Sequence, residues 1–266
     1  RVAAVRKAWG AAESEALPAG SGLFSGRAKP KASSWGLQPA PSAVDRASLE
    51  RATKAQHFLP ESVFSVLKRD PFLREQYVNG SSGYWSLEEH SAAVVEQFER
   101  YFRGPVPGGV DRGLIRLILA LHDIGKPSAA RGKGVRFQHE HNRRIVTEYM
   151  AKWGYTDKEA ALAAALVGSD PIGGFLKDRT RGVEAEIRFA GELRAGAKEA
   201  GLPAADYFEL SRVYYMSDAS AYTLNGAGGE GFLDYLFVFK PAERSMELSP
   251  RVAADVERLR RRVLSF

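Results

Sequence analysis

The sequence predicts an all-α fold, and three observations carry that expectation. From Ser42 onward apolar residues recur at helical spacing nearly throughout. Two helix-start signatures, Ser86-Leu87-Glu88-Glu89 and Thr156-Asp157-Lys158-Glu159, each place a hydroxyl three residues before a glutamate, so that each side chain can satisfy the other's backbone amide. Only Phe232 to Phe239 has a strand-like composition, and it reads equally as a buried helix. The expected organisation is a flexible basic leader over residues 1–42, mostly irregular, followed by one helical domain over 43–266 that ends in a short helical extension.

The leader comes first. Of its 42 residues, 25 are Ala, Gly, Ser or Pro, with aromatics only at Trp9, Phe24 and Trp35, which is too little apolar surface to offset the entropy of ordering. A short helix is expected over Val2 to Leu17 and a linker or surface strap over Pro18 to Pro41. The chain starts with Arg and lacks an apolar run after its basic residues, so it reads as a processed boundary rather than an intact secretory signal. A cytoplasmic location is expected, with an exported bacterial effector as the alternative that the low-complexity leader raises.

In the body, the Ser86 cap opens a helix whose Leu87, Val94, Phe98 and Tyr101 share a face and which Gly104-Pro105 stops. A helix from about Asp111 through Leu121 is apolar on nearly every side and belongs at the centre of the fold, with Gly125 and Pro127 ending it. Thr156 opens an Ala-rich helix to about Val167. Further helices are expected at 138–152, 183–200, 205–224 and 249–264, the last with Ser249 as cap and Pro250 in its first turn. No apolar run approaches the roughly 18 residues of a membrane span.

Composition excludes several kinds of chemistry. The 266 residues contain no Cys, which removes disulfide scaffolds, thiolate zinc sites and a cysteine nucleophile together. The net charge of +6 invites a nucleic-acid partner until it is divided by region. Residues 1–46 hold seven basic and three acidic side chains, so the body is nearly balanced and nucleic acid is not the favoured partner.

Four side chains sit in unusual places. His90 lies on the buried stripe of its helix, where both ring nitrogens need partners. His122 ends the most apolar helix, and Asp123 follows at a helix C-terminus, where the macrodipole disfavours a carboxylate and calls for a compensating positive charge. Asp218 shares a core-like face with Leu210, Tyr214 and Ala221. Two His and two Asp on inward faces of separate helices form a mixed nitrogen and oxygen set for a divalent metal, which would supply that charge.

The run Leu121-His122-Asp123-Ile124-Gly125-Lys126, with Glu89-His90-Ser91 before it and Ser217-Asp218-Ala219 far downstream, resembles the HD-domain superfamily of metal-dependent phosphohydrolases over roughly residues 84 to 224. The resemblance implies an HD-type helical bundle in which His90, His122, Asp123 and Asp218 bind the metal (Mn, Mg, Co, Ni, Fe or Zn). Phe137-Gln138-His139-Glu140 is also similar to a Phe-x-Gly-His-Glu segment in the HD domains of bacterial tRNA nucleotidyltransferases, with Gln138 where they have Gly. Those domains follow with Leu-Val-x-x-His, where this chain has Leu166-Val167-Gly168-Ser169-Asp170. The Gly-Tyr-Pro signature of cyclic-di-GMP phosphodiesterases is absent.

The activity this implies is hydrolysis of a phosphate ester, most simply of a nucleotide or related small molecule, with catalytic parts for Asp123, Lys126, His139 and His141. Lys126 is one turn beyond the His-Asp pair, and the basic loop of Arg131, Lys133 and Arg136 reads as a phosphate clamp. Arg143 and Arg144 add to that cluster, opposed only by Glu140. Asp170 is expected to bind substrate at the rim, with Lys177 beside it. Periodicity does not choose between His139 and His141 as general acid or second-metal ligand. Trp85, Phe137, Phe175 and Tyr222 are candidate base-stacking walls, with core packing as the competing role, and His57 is expected to be structural. Two other classes compete: an HD-type di-iron oxygenase using His139 or His141, and a binding module that keeps the fold without chemistry.

Overall fold

A computed structural model describes residues 44–82, 85–132, 134–225 and 233–265. The expected helix over Val2 to Leu17, the strap to Pro41, Lys133 and the start of the Phe232 segment lie outside them. The described part belongs to one compact unit, Val44–Phe266, and its architecture is all-α with two small hairpins.

Three short helices lead in. α1 (Arg46–Thr53) starts at Asp45, which forms a reciprocal cap with Ser48; α2 (Pro60–Leu67) and α3 (Pro71–Asn79) each carry Pro in the first turn, and Asp70 caps α3. A two-stranded hairpin, β1 (Ser81–Ser82) and β2 (Trp85–Ser86), then turns the chain into α4 (Leu87–Tyr101). Gly80 permits that turn, because a Cβ there would meet the Gln76 carbonyl at 2.4 Å and Pro127 at 2.6 Å. The Ser86–Glu89 capping box opens α4 as expected.

α5 (Arg112–Leu121) begins at Asp111 and is the central helix, with Leu117, Ile118, Leu119 and Ala120 fully enclosed. The structure departs from expectation just beyond it. Pro127 does not terminate this helix; it sits in the first turn of a separate short one, α6 (Lys126–Arg131), where a missing N–H costs nothing. A tight turn over residues 122–125 joins the two.

The remaining helices match the sequence periods closely: α7 (Gln138–Lys152), α8 (Asp157–Val167) behind its Thr156–Glu159 box, α10 (Val183–Ala200) and α11 (Ala204–Asn225). α9 (Pro171–Asp178) was not singled out. The strand expectation is realised over Phe237–Lys240 as β3, but it needs the antiparallel partner β4 (Ser245–Leu248), which the sequence reading missed. In α12 (Pro250–Leu264) Ser249 occupies the cap position without capping, since its hydroxyl donates instead to the Tyr235 carbonyl at 2.9 Å.

Among the described residues α4 and α11 are the most extensively packed pair of helices. Gln97 of α4 pins them by donating to the Ser220 carbonyl of α11 at 2.8 Å. That pairing brings the first turn of α4 beside the middle of α11, with the α5–α6 turn against both. No helix among the described residues is long and apolar enough to cross a membrane.

Candidate metal centre

His90 of α4, His122 of the α5–α6 turn and Asp218 of α11 meet where these three elements converge. Each offers one ligand atom, and the three atoms lie within 4.8 Å of one another. His90 Nε2 is 3.0 Å from Asp218 Oδ1, and His122 Nε2 is 3.4 Å from the same oxygen. His90 and His122 are almost wholly enclosed, whereas the Asp218 side chain is 36% exposed, so the group opens to solvent on the side of α11.

The wiring of His122 shows what the group can hold. Its Nδ1–H donates to the Leu119 carbonyl at 2.8 Å, which fixes the tautomer and directs the Nε2 lone pair inward. Nε2 is enclosed and has no hydrogen-bond partner, yet it faces oxygens of Asp123 and Asp218, each at 3.4 Å. A lone pair aimed at two carboxylates is repulsive unless a cation lies between them. Burial disfavours the imidazolium, but the charges of Asp123 and Asp218 outweigh it and push the His122 pKa up to about 10. A proton fills the position when nothing better does, and the donor set of two imidazoles and a carboxylate fits a metal ion.

Asp123 adjoins this group rather than sitting within it. Its Oδ2 is 3.4 Å from His122 Nε2 and 3.9 Å from His90 Nε2, and it accepts from Lys126 Nζ at 2.7 Å. The positive charge that its place at the end of α5 demands therefore comes in part from its own i+3 neighbour. Burial alone would raise the Asp123 pKa, but Lys126 and the two imidazoles hold it well below the usual carboxylate range. The same is true of Asp218, lowered by His122 and His90 against the effect of burial. Lys126 also donates to Ser82 Oγ at 2.9 Å, tying the β1–β2 hairpin to the site.

One further residue builds the centre, and the sequence reading passed over it. Asn142 of α7 is fully buried; its Nδ2 donates to the His122 carbonyl and its Oδ1 accepts from the Gly125 amide, both at 2.6 Å. It thus clasps the His-Asp turn at both ends. Gly125 makes this approach possible, because a Cβ there would lie 2.4 Å from the Asn142 amide nitrogen. The signal was present: Asn142 shares a helical stripe with Ile145, Val146 and Tyr149, and a polar residue on an apolar stripe needs a reason.

The other candidates divide into two groups. His139, Asp170 and Lys177 line one cavity of about 310 Å³, with Ser169, Arg188 and Phe189. Burial raises the Asp170 pKa, and the charge of Asp218 adds to the effect. His141, two residues on, has an enclosed Nδ1 without a hydrogen-bond partner. Of the clamp residues that are described, Arg131 reaches Glu75 and Gln76 of α3, and Arg136 lies over the Phe137 ring. Arg143 pairs with Glu199. Of the four candidate walls, Phe175 is fully buried core against Phe189, while Tyr222 stands beside His90 and Trp85 beside Tyr222. His57 is exposed on the surface.

No protein-family model, curated protein or solved structure matches this chain.

Proposed function

We propose that the protein is a metal-dependent phosphohydrolase or phosphodiesterase acting on the phosphate ester of a nucleotide or related small molecule. The supporting observation is the inward-facing, unpartnered His122 Nε2 between carboxylates, beside His90 and with Lys126 adjacent. His90, His122 and Asp218, with Asp123 completing the set, would hold a divalent ion of the Mn, Mg, Co, Ni, Fe or Zn class. When bound, such an ion supplies Lewis acidity, acidifying water and drawing charge from the phosphoryl group.

The chain's own residues do the rest. Leu119 and Asn142 hold the His-Asp turn so that the imidazole keeps one tautomer and one direction. Lys126, fixed between Asp123 and Ser82, carries the positive charge that meets the phosphate oxygens. The open flank at Asp218 is the side on which the ester approaches. Of the two histidines left undecided by periodicity, His139 shares a cavity with Asp170 and Lys177 and is assigned to protonate the leaving group.

The test is a screen of chelator-treated protein reloaded with each ion in turn. It is run against nucleotides, 2′,3′-cyclic phosphates and bis(p-nitrophenyl) phosphate, with metal content measured in parallel. Turnover that needs metal in the wild type and disappears in Asp123→Ala is expected. Equal turnover in both proteins overturns the assignment. Two irons per chain with oxygen consumption would identify an oxygenase instead, and a folded chain that takes up no ion would leave a binding module.

A further inference from the structure

The β1–β2 hairpin does more than reverse the chain. It carries Trp85 to Tyr222 of α11, with ring centroids 5.3 Å apart and planes inclined by 56°. Tyr222 in turn lies against His90 at 4.8 Å and 38°, and it sits one helical turn beyond Asp218. The same hairpin reaches Lys126 through Ser82 Oγ, which also lies 3.4 Å from the Tyr222 hydroxyl. Two aromatic rings, the cation and a ligand imidazole are thus linked in one connected unit.

Several large rings of the core are enclosed, while others, such as Phe72, Tyr101 and Phe239, are half-buried. Phe64, Tyr77, Phe98, Phe175 and Tyr207 are fully buried, and the indole of Trp153 is buried against Tyr149. Trp85 and Tyr222 are only half-buried. Their planes are inclined by 56°, so the two rings do not stack flat on one another. Trp85 is carried by a two-residue pairing that is marginal on its own. Beside a site for phosphate, it gains a role by stacking on a planar ring.

We propose that Trp85 and Tyr222 form the wall that recognises a planar aromatic ring, a nucleobase, on the substrate's phosphate ester. The proposal rests on the reading of the centre as a phosphohydrolase site and names the part of the substrate that this site selects. Lys126 takes the phosphate, and the two rings take the base. Specificity then depends on the hairpin, since it holds both Trp85 and the Ser82 anchor of Lys126.

The test is calorimetric titration of the full chain with each of the four ribonucleoside 5′-monophosphates and with ribose 5-phosphate, which bears the same phosphate on the same sugar without a ring. EDTA is present, so the ester stays intact whatever the metal-loaded protein does to it. At least one nucleotide is expected to bind at least about fivefold more tightly than ribose 5-phosphate. That ratio should collapse in Trp85→Leu and return in Trp85→Phe. Tyr222→Leu supplies the second variant if a thermal melt shows Trp85→Leu unfolded. Equal affinities in the wild type, no binding of any of the four nucleotides, or a ratio that survives Trp85→Leu overturns the proposal. A ring-dependent ratio without metal-dependent hydrolysis would sink the hydrolase reading and leave the wall standing. Hydrolysis without the ratio would do the reverse.

Discussion

Asp70 and Asp123 are equally buried, each 6% exposed, and their surroundings could hardly differ more. Asp70 precedes α3 at the positive end of the helix. Its Oδ1 accepts from the Phe72 and Leu73 amides and from the Tyr149 hydroxyl, and its Oδ2 accepts from Lys152. Asp123 follows α5 at the negative end, shares one cation with Ser82, and faces two imidazoles that another carboxylate also faces. One buried acid has its hydrogen bonds supplied by the fold. The other shares its one cation with Ser82 and lies among two imidazoles and a second carboxylate. Burial alone therefore does not distinguish the two acids; the groups around them do.

The sharpest way to break this contrast is to remove an acid from each region. Asp70→Ala takes away a helix cap and leaves Tyr149 and Lys152 without their acceptor, which should cost about 2–4 kcal/mol of stability. Turnover per folded molecule should be unchanged. Asp218→Asn should do the opposite. Loss of a metal ligand should reduce turnover by more than the roughly 10–100-fold typical of an outer-shell partner. Because Asp218 is partly exposed, stability in EDTA should change by less than about 1 kcal/mol. Denaturant melts and initial rates on the same samples decide the matter, and a fully active Asp218→Asn would dissolve the distinction.

How far the sequence reveals this depends on whether a feature is local. Caps, periods and the inward placement of His90 and Asp218 are written within a few residues, so the long helices and the three members of the metal group were legible. The α5–α6 turn was not. Pro127 after Gly125 signals an end, and only packing against Asn142 and Gly80 reveals that a second helix begins at once. The two hairpins hide for the same reason, since a two- or four-residue strand has no period to detect and exists only through its partner. The basic cluster after the His-Asp pair is local in sequence, but in space Arg131 reaches Glu75 and Arg143 pairs with Glu199.

A smaller effect sharpens the contrast from the side of the ligand. An ion that binds the folded chain at 100 times its dissociation constant stabilises it by about 2.7 kcal/mol, or about 5–10 °C in a domain of this size. Mn²⁺ should raise the melting temperature of the wild type and of Asp70→Ala by the same amount, because Asp70 has no part in the centre. Asp218→Asn should show no rise. A shift that persists in Asp218→Asn would place the ion elsewhere on the molecule.

The smallest effect concerns acid. Burial opposes ionisation of Asp70, but the Tyr149 hydroxyl, the Leu73 amide and Lys152 outweigh it and hold its pKa below the ordinary value of 3.8. A carboxyl whose folded pKa is depressed binds its proton more readily in the unfolded chain. Its contribution is therefore complete above the unfolded value and is lost as the pH falls through the folded one. The wild type should lose stability steeply below about pH 4, and Asp70→Asn should show a flatter decline there, from a lower plateau at neutral pH. Denaturant melts in EDTA between pH 3 and 7 measure the difference between the two curves. If that difference stays constant with pH, Asp70 is not the proton-linked group, and its likeness to Asp123 in burial would have to be explained without the hydrogen bonds that separate them.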